Sequence, residues 1–308
     1  MSTATTRRPV EKDGSSTTAN HPGADPDTAR RTARGRVAVL HALRYAALLL
    51  VLGVMVGPFL WQLSTSLKGL RDQVFGYPPQ LLPHEPTLSH YAAVTETVPV
   101  LRYATNSLVV AVSCAATNIV FGSMAGYAMA RMTFRGRKIV FACFLATIII
   151  PFESILVSEF LIVRSLGIND TLLGVMVPLA VTGLSVLLMR NAFAGLPAEV
   201  EEAAVLDGAG EWQRFWRIAM PSVRGTMAVV GIFSFVFAWD DFLWPLVVLS
   251  DPGNYTLTVG IQYLSGTFTN DQRVIAAGTM MAVVPLMVLF FSLQRFFFRG
   301  VGEGAVKG

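Results

Sequence analysis

Apolar residues gather into six long runs separated by short polar stretches: roughly 40–67, 104–131, 139–163, 171–193, 222–249 and 274–297. A helix needs about 20 apolar residues to cross about 30 Å of hydrocarbon, and each run is long enough. The pattern predicts an all-α membrane protein with six transmembrane helices. The segment before them, residues 1–36, is rich in Thr, Ser, Asp, Pro and Arg and almost free of aromatic or branched apolar side chains. Such a segment cannot bury enough surface to fold and reads as a disordered tail. It is not a secretory signal peptide, which sets its apolar region close to the start and ends it at a small-residue cleavage site. A short tail, 299–308, closes the chain after the last run.

Composition supports the membrane reading. Of the 308 residues 53% are hydrophobic and 14% charged, and the mean hydropathy is +0.54. A soluble domain carries about 25% charged residues, so this chain must cover its surface with lipid. The net charge of +4 calls for no nucleic-acid partner, because the basic residues flank the apolar runs. Cys114 and Cys143 both lie inside runs, with no spacing that fits a zinc site, a redox motif or a disulfide framework.

Basic residues in short loops set membrane orientation. Arg30, Arg31, Arg34 and Arg36 precede the first run, and Arg131, Arg135, Arg137 and Lys138 join the second to the third. Arg214, Arg217 and Arg224 join the fourth to the fifth, and Arg295, Arg299 and Lys307 follow the sixth. The alternate loops are poorer, with Arg164 in one and Arg273 in another. Both termini are therefore expected in the cytoplasm. The first outer loop, about 68–103, contains Pro78, Pro79, Pro83, Pro86 and Pro99. It reads equally as a docking surface for an external partner and as an irregular connector.

The link between runs four and five, 197–221, has its own pattern. Pro197 suits a helix start, and Glu199, Glu201 and Glu202 suit the positive end of that helix's dipole. Gly208 and Gly210 break the helix, and a second is expected from about Glu211. In it Trp212, Phe215, Trp216 and Ala219 recur at i, i+3, i+4 and i+7, one apolar face. Gln213, Arg214 and Arg217 take the other side. Periodicity alone does not say whether this helix–turn–helix rests on lipid or on a partner.

Glu202-Ala203-Ala204, Asp207-Gly208-Ala209, Phe215, Ile218 and Pro221 resemble the EAA motif of binding-protein-dependent ABC importer permeases. Met220 departs from the pattern, standing where that family has Leu. Other stretches resemble the family's carbohydrate branch: Asn106-Ser107-Leu108, Ala125-Gly126-Tyr127-Ala128 with Ala130-Arg131, and Phe134-Arg135-Gly136. Trp239-Asp240-Asp241-Phe242-Leu243-Trp244-Pro245 resembles a W-N-D-F-L-W-P stretch, with Asp240 in place of Asn, and Gly304–Gly308 resembles the end of maltose-type permeases. The resemblance covers about residue 40 to the end. It implies a type I ABC importer (MetI-like) permease fold, with a core over 104–298 and 37–103 as first span and outer loop. It also implies coupling helices docked on a cytoplasmic ATPase. In that arrangement Glu202, beside Glu201, is the acidic contact to the ATPase. Gly208 permits the sharp turn, and Ala203 and Ala204 allow close approach. The implied partners are a second, homologous permease, two copies of the ATPase, a periplasmic or extracellular sugar-binding protein, and the lipid bilayer. ATP would be bound by the ATPase and no cofactor by this chain.

Charges inside a span are candidate sites by default. Glu153 and Glu159 fall in run three; Asp240 and Asp241, between Trp239 and Trp244, fall in run five. Carboxylates hydrogen-bond sugar hydroxyls and aromatic faces pack on sugar C–H surfaces, so these six are candidates for a translocation path. The competing reading is that they tie helices together. Two rival classes lack their signatures. There is no G-x-x-x-x-G-K-[ST] phosphate loop, so an ATPase is excluded; a gradient-driven carrier for a small polar solute is the alternative, but it has no use for an ATPase-docking loop. A magnesium-dependent membrane enzyme would need carboxylates a helical turn beyond Asp240 and Asp241, where Trp244 and Pro245 stand. No Ser/His/Asp or Cys/His constellation appears, and the chain is expected to catalyse nothing itself.

Overall fold

The computed structural model describes the backbone of residues 26–305 and the side chains of 40–265 and 268–292. Most of those residues are helical, the longest exception being 68–88. The chain divides into two units, Met1–Pro58 and Phe59–Gly308. The first consists, as far as it is described, of most of helix α1, Pro26–Leu67. This helix begins at Pro26, so residues 26–36 are helical where a disordered tail was expected; residues 1–25 lie outside the described part.

The second unit is built around α3, Val100–Arg131, a helix of 32 residues and so about 48 Å long. Before it comes α2, Ser89–Thr97. After it come α4, Arg137–Ile149, and α5, Phe152–Ser165, which meet at 111°. The bend falls at Ile150 and Pro151, both extended, because proline forces the residue before it out of the helical region. Run four is not one helix. It divides into α6, Leu172–Met176, and α7, Gly183–Ala194. Two short helices, α8 (Ala198–Leu206) and α9 (Glu211–Ser222), lead into α10, Arg224–Asp240. The chain then breaks at Asp241 and Phe242 before α11, Leu243–Val248. The last elements are α12, Leu257–Tyr263, and α13, Gln272–Ala305. The last helix thus continues into the stretch read as a C-terminal tail; residues 306–308 lie outside the described part.

Six crossing helices were expected. Among the described residues three are long and apolar enough: Leu40–Leu67, Val100–Arg131 and Gln272–Ser292. Two bent pairs, Arg137–Ser165 and Glu211–Asp240, bring the number to five if each is one span. The fourth run supplies only the short Gly183–Ala194.

Asn118, buried in the middle of α3, explains the break in run four. Its amide donates to Cys114 O at 2.9 Å and Leu179 O at 2.7 Å. Its oxygen accepts from Thr182 N at 2.9 Å and Thr182 Oγ1 at 3.0 Å. Both donors and both lone pairs are satisfied, and Asn118 serves the backbone groups that the interruption between α6 and α7 releases. Thr182 then caps α7 by accepting from Ser185 N.

Below that point α3 and α7 press together through Gly122 and Gly126. A Cβ on Gly126 would stand 2.7 Å from Met189 Cβ and 2.8 Å from Arg190 N. Small residues four apart let two helix backbones approach where side chains would hold them away.

The N-terminal end of α3 holds the segment 252–257. Asn106 Nδ2 donates to Tyr255 O at 2.9 Å, and Ser107 Oγ accepts from Leu257 N at 2.8 Å. At the same end Asp170 (φ 56°) accepts from Ser250 N at 2.8 Å and Asp251 N at 2.9 Å. These backbone donors hold its carboxyl below the usual aspartate range. The proline-rich loop is also ordered there. Buried Lys68 donates to Gln73 O, and His90 bonds Lys68 O at 2.8 Å. A cleft of about 600 Å³ lies between Leu70–Gly76 and Asn270–Arg273.

Candidate functional site

At the C-terminal end of α3 the chain builds the helix–turn–helix that the sequence marks. Pro197 caps α8, and Glu199 and Glu201 occupy its first turn. The helix exit is a Schellman turn: Gly208 N donates to Val205 O at 3.0 Å and Ala209 N to Ala204 O at 2.9 Å. Gly208 takes φ +80°, which glycine adopts without strain. Gly210 N donates to Gln213 Oε1 at 3.2 Å at the start of α9.

The second helix differs from expectation in its twist. Arg214–Ala219 is π-helical, with i→i+5 bonding, so the residues fall off a 3.6-residue stripe. Phe215, Ala219 and Met220 are buried, while Trp212 is 62% and Trp216 38% exposed. The predicted face of Trp212, Phe215, Trp216 and Ala219 is therefore split. Its inner half seats in the bundle. Tyr127, Phe193 and Phe215 form a ring cluster with centroids 5.4, 5.2 and 6.3 Å apart, joined by Met189, Ala219 and Met220. The outer half is a solvent-facing pair of tryptophans in edge contact at 5.7 Å.

The EAA residues divide the same way. Ala204 is buried, Ala209 and Ile218 are half-buried, and Glu202, Ala203, Asp207, Gly208 and Pro221 are exposed, as are Val205 and Leu206. Glu201 points inward, with Oε1 3.4 Å from Arg131 Nε. A cleft of about 470 Å³ separates α8 from α9, with Arg131, Glu201, Glu202, Val205, Leu206 and Arg214 in its wall. Arg214 donates to Glu211 Oε1 at 2.8 Å. The result is an exposed, apolar and partly acidic knob on a buried aromatic seat.

The six path candidates lie elsewhere, and none lines either of these two clefts. Trp239 is buried, stacks on Phe235 at 5.9 Å, and donates from Nε1 to Ala282 O at 3.3 Å, tying α10 to α13. Trp244 is fully buried, edge-on to Phe152 at 5.9 Å. Both fill the core in this structure. Asp241 closes the break after α10: Oδ1 accepts from Trp244 N at 3.4 Å and its carbonyl from Thr258 Oγ1 at 2.8 Å. Asp240 and Glu153 are exposed, and Glu159 is half-buried with Oε2 buried and without a hydrogen-bond partner. Sequence reasoning used Asn118 not at all and Arg131 only as a loop charge and a motif letter. A lone Asn in the middle of an apolar run is the signal that marks the first.

Comparison with known proteins places this geometry. Residues 118–303 match the family of binding-protein-dependent transport system inner membrane components. The chain is similar to the arabinooligosaccharides transport system permease protein AraQ of Halalkalibacterium halodurans: 34% identical over 203 residues, 66% of this chain and 73% of the relative. It is 31% identical over 268 residues to the inner membrane ABC transporter permease protein YcjP of Escherichia coli, covering 86% of this chain and 95% of that one. With the lactose transport system permease protein LacG of Rhizobium radiobacter it shares 28% over 270 residues, covering 86% and 96%. Its fold matches a chain of a bacterial ABC transporter involved in the import of the acidic polysaccharide alginate, with TM-score 0.75 and 22% identity over 84% of this chain and 97% of that one.

Proposed function

The chain belongs to the family of binding-protein-dependent transport system inner membrane components, and on that premise we propose that it is the permease subunit of an ATP-driven importer of di- or oligosaccharides. It forms half of the translocation pathway and catalyses nothing itself. The observation that carries this reading is the exposed knob of Glu202, Val205, Leu206, Trp212 and Trp216, set on the buried Phe215 seat. Two copies of a cytoplasmic ATPase bind the ATP, and one holds this knob. A second, homologous permease completes the pathway, and an external binding protein delivers the sugar. The sugar class is supported by relatives named for arabinooligosaccharides and lactose. On this reading both termini lie in the cytoplasm, on the side of the 197–221 loop, which the basic residues of the alternate loops support.

The mechanism is alternating access: ATP closes the ATPase pair, α8 and α9 are pushed, and the paired permeases open outward. The test is to tag this chain in its native membrane, extract it gently and identify its companions by mass spectrometry. An ATPase, a second permease and a sugar-loaded binding protein are expected. Recovery of the chain alone, with sugar uptake that follows an ion gradient and ignores ATP, would replace this reading with a secondary carrier.

A further inference from the structure

Arg131 is the last residue of α3, and a basic residue at the end of a span ordinarily reaches out to lipid headgroups. Arg135, four residues on, is exposed in that way. Arg131 instead turns into the protein, with its side chain 15% exposed. Nε donates to Phe193 O at 3.0 Å, and Nη2 donates to Leu196 O. These carbonyls belong to the end of α7 and the turn after it; Phe193 O also accepts from Leu196 N at 3.1 Å, so Arg131 adds a second bond there. The guanidinium also neutralises the negative dipole ends of α3 and α7 together.

Its third partner is Glu201, at 3.4 Å and equally covered. Glu201 Oε1 is buried and has no aligned hydrogen bond, so the charge of Arg131 compensates it there. One planar, five-donor side chain thus joins three elements: the bundle helix α3, the end of α7, and α8 of the loop. A lysine cannot reproduce this, because an ammonium is a point charge without the planar fork.

We propose that Arg131 is the positioning residue of the coupling loop, the joint through which displacement of α8 is delivered to α3. The proposal rests on the reading of 197–221 as the ATPase contact. Residues 202–216 supply the contact on that reading, and Arg131, with its side chain 15% exposed, acts through Glu201. Beyond this joint α3 is stiffened by Asn118 and by its close packing on α7. Its far end holds 252–257 through Asn106 and Ser107. A push on α8 therefore reaches the opposite end of the bundle through one continuous helix.

The experiment uses the complete importer in proteoliposomes, with wild type, Arg131→Ala, Arg131→Lys and the charge exchange Arg131→Glu with Glu201→Arg. Assembly is read by co-purification of the ATPase, and coupling by sugar transported per ATP hydrolysed. The expected result is that both single variants assemble and lower that ratio about five-fold or more, with Ala worse than Lys. The charge exchange, which restores the ion pair but sets a carboxylate against the Phe193 and Leu196 carbonyls and two helix C-termini, leaves the ratio no higher than in Arg131→Ala. An unchanged ratio in an assembled Arg131→Ala complex overturns the proposal. So does a fall in transport matched by an equal fall in hydrolysis in both single variants, since that is simple destabilisation. If the wild-type chain binds no ATPase, the reading of the loop fails first and the proposal with it.

Discussion

Two pairs of tryptophans occupy opposite situations in this protein. Trp239, at the end of α10, and Trp244, at the start of α11, are 4% and 0% exposed; Trp212 and Trp216, on α9, are 62% and 38% exposed. The first pair is enclosed by Phe235, Phe152 and the backbone of α13. The ring contacts of the second are with each other and with Phe215 on the same helix. Burying a large aromatic contributes several kcal/mol to a fold, and exposing one contributes nothing until a partner covers it. The bundle pair therefore contributes to stability, and on the proposed function the loop pair contributes to association. Substitutions should separate the two.

The bundle should suffer most. Gly126→Leu places a side chain where even a Cβ meets Met189 and the backbone of α7. We expect no folded permease in the membrane, read by protease resistance and detergent extraction; Gly126→Ala should cost about 1–3 kcal/mol. Trp244→Ala, which empties a fully buried site, should cost about 3–5 kcal/mol, seen as a lower thermal unfolding temperature in detergent. Trp212→Ala should change that stability by no more than about 0.5 kcal/mol and weaken ATPase binding by about 2 kcal/mol. If Trp212→Ala unfolds the protein and Trp244→Ala does not, the division is wrong.

Smaller effects sharpen the loop side. Gly208→Ala meets no atom within 4 Å, so its effect is backbone strain alone, about 1–2 kcal/mol. Gly208→Pro also removes the bond to Val205 O; it should leave the bundle folded and uncouple hydrolysis from transport. Asp240→Asn changes an exposed carboxylate, and transport should survive it. Complete loss would show that the charge is needed. The least effect concerns Asp170. Its carboxyl titrates below the ordinary value, so its contribution is fully present above about pH 3.9 and lost as pH falls through the lower folded pKa. Hydrogen exchange at Ser250 and Asp251 should rise only in that acid range.

The parts legible in the sequence were those with local causes. Pro197, Gly208 and Gly210 mark the ends of α8 and the start of α9 because capping and positive φ are properties of a few neighbouring residues. The apolar runs locate the helices for the same reason. What escaped depends on distant contacts or on backbone detail. The break between α6 and α7 is held by Asn118, more than sixty residues away in sequence. The stretch Arg214–Ala219 is π-helical, which a 3.6-residue period does not anticipate, and Trp212 and Trp216 are exposed. For Trp239 and Trp244 the sequence leaves a translocation path and a tie between helices both open; here both indoles are in the core, against α13 and α5.

The most direct test of the central claim is site-directed crosslinking. Cys143, the exposed native thiol, is first replaced by Ser. Single cysteines then go in at Leu206 on the knob and at Leu101 at the far end of α3, both exposed. The ATPase, purified with the complex, is the target. The account predicts an adduct between position 206 and the ATPase that changes with ATP, and none from position 101. An ATPase adduct from position 101, or none from 206 in a complex that retains its ATPase, would contradict it.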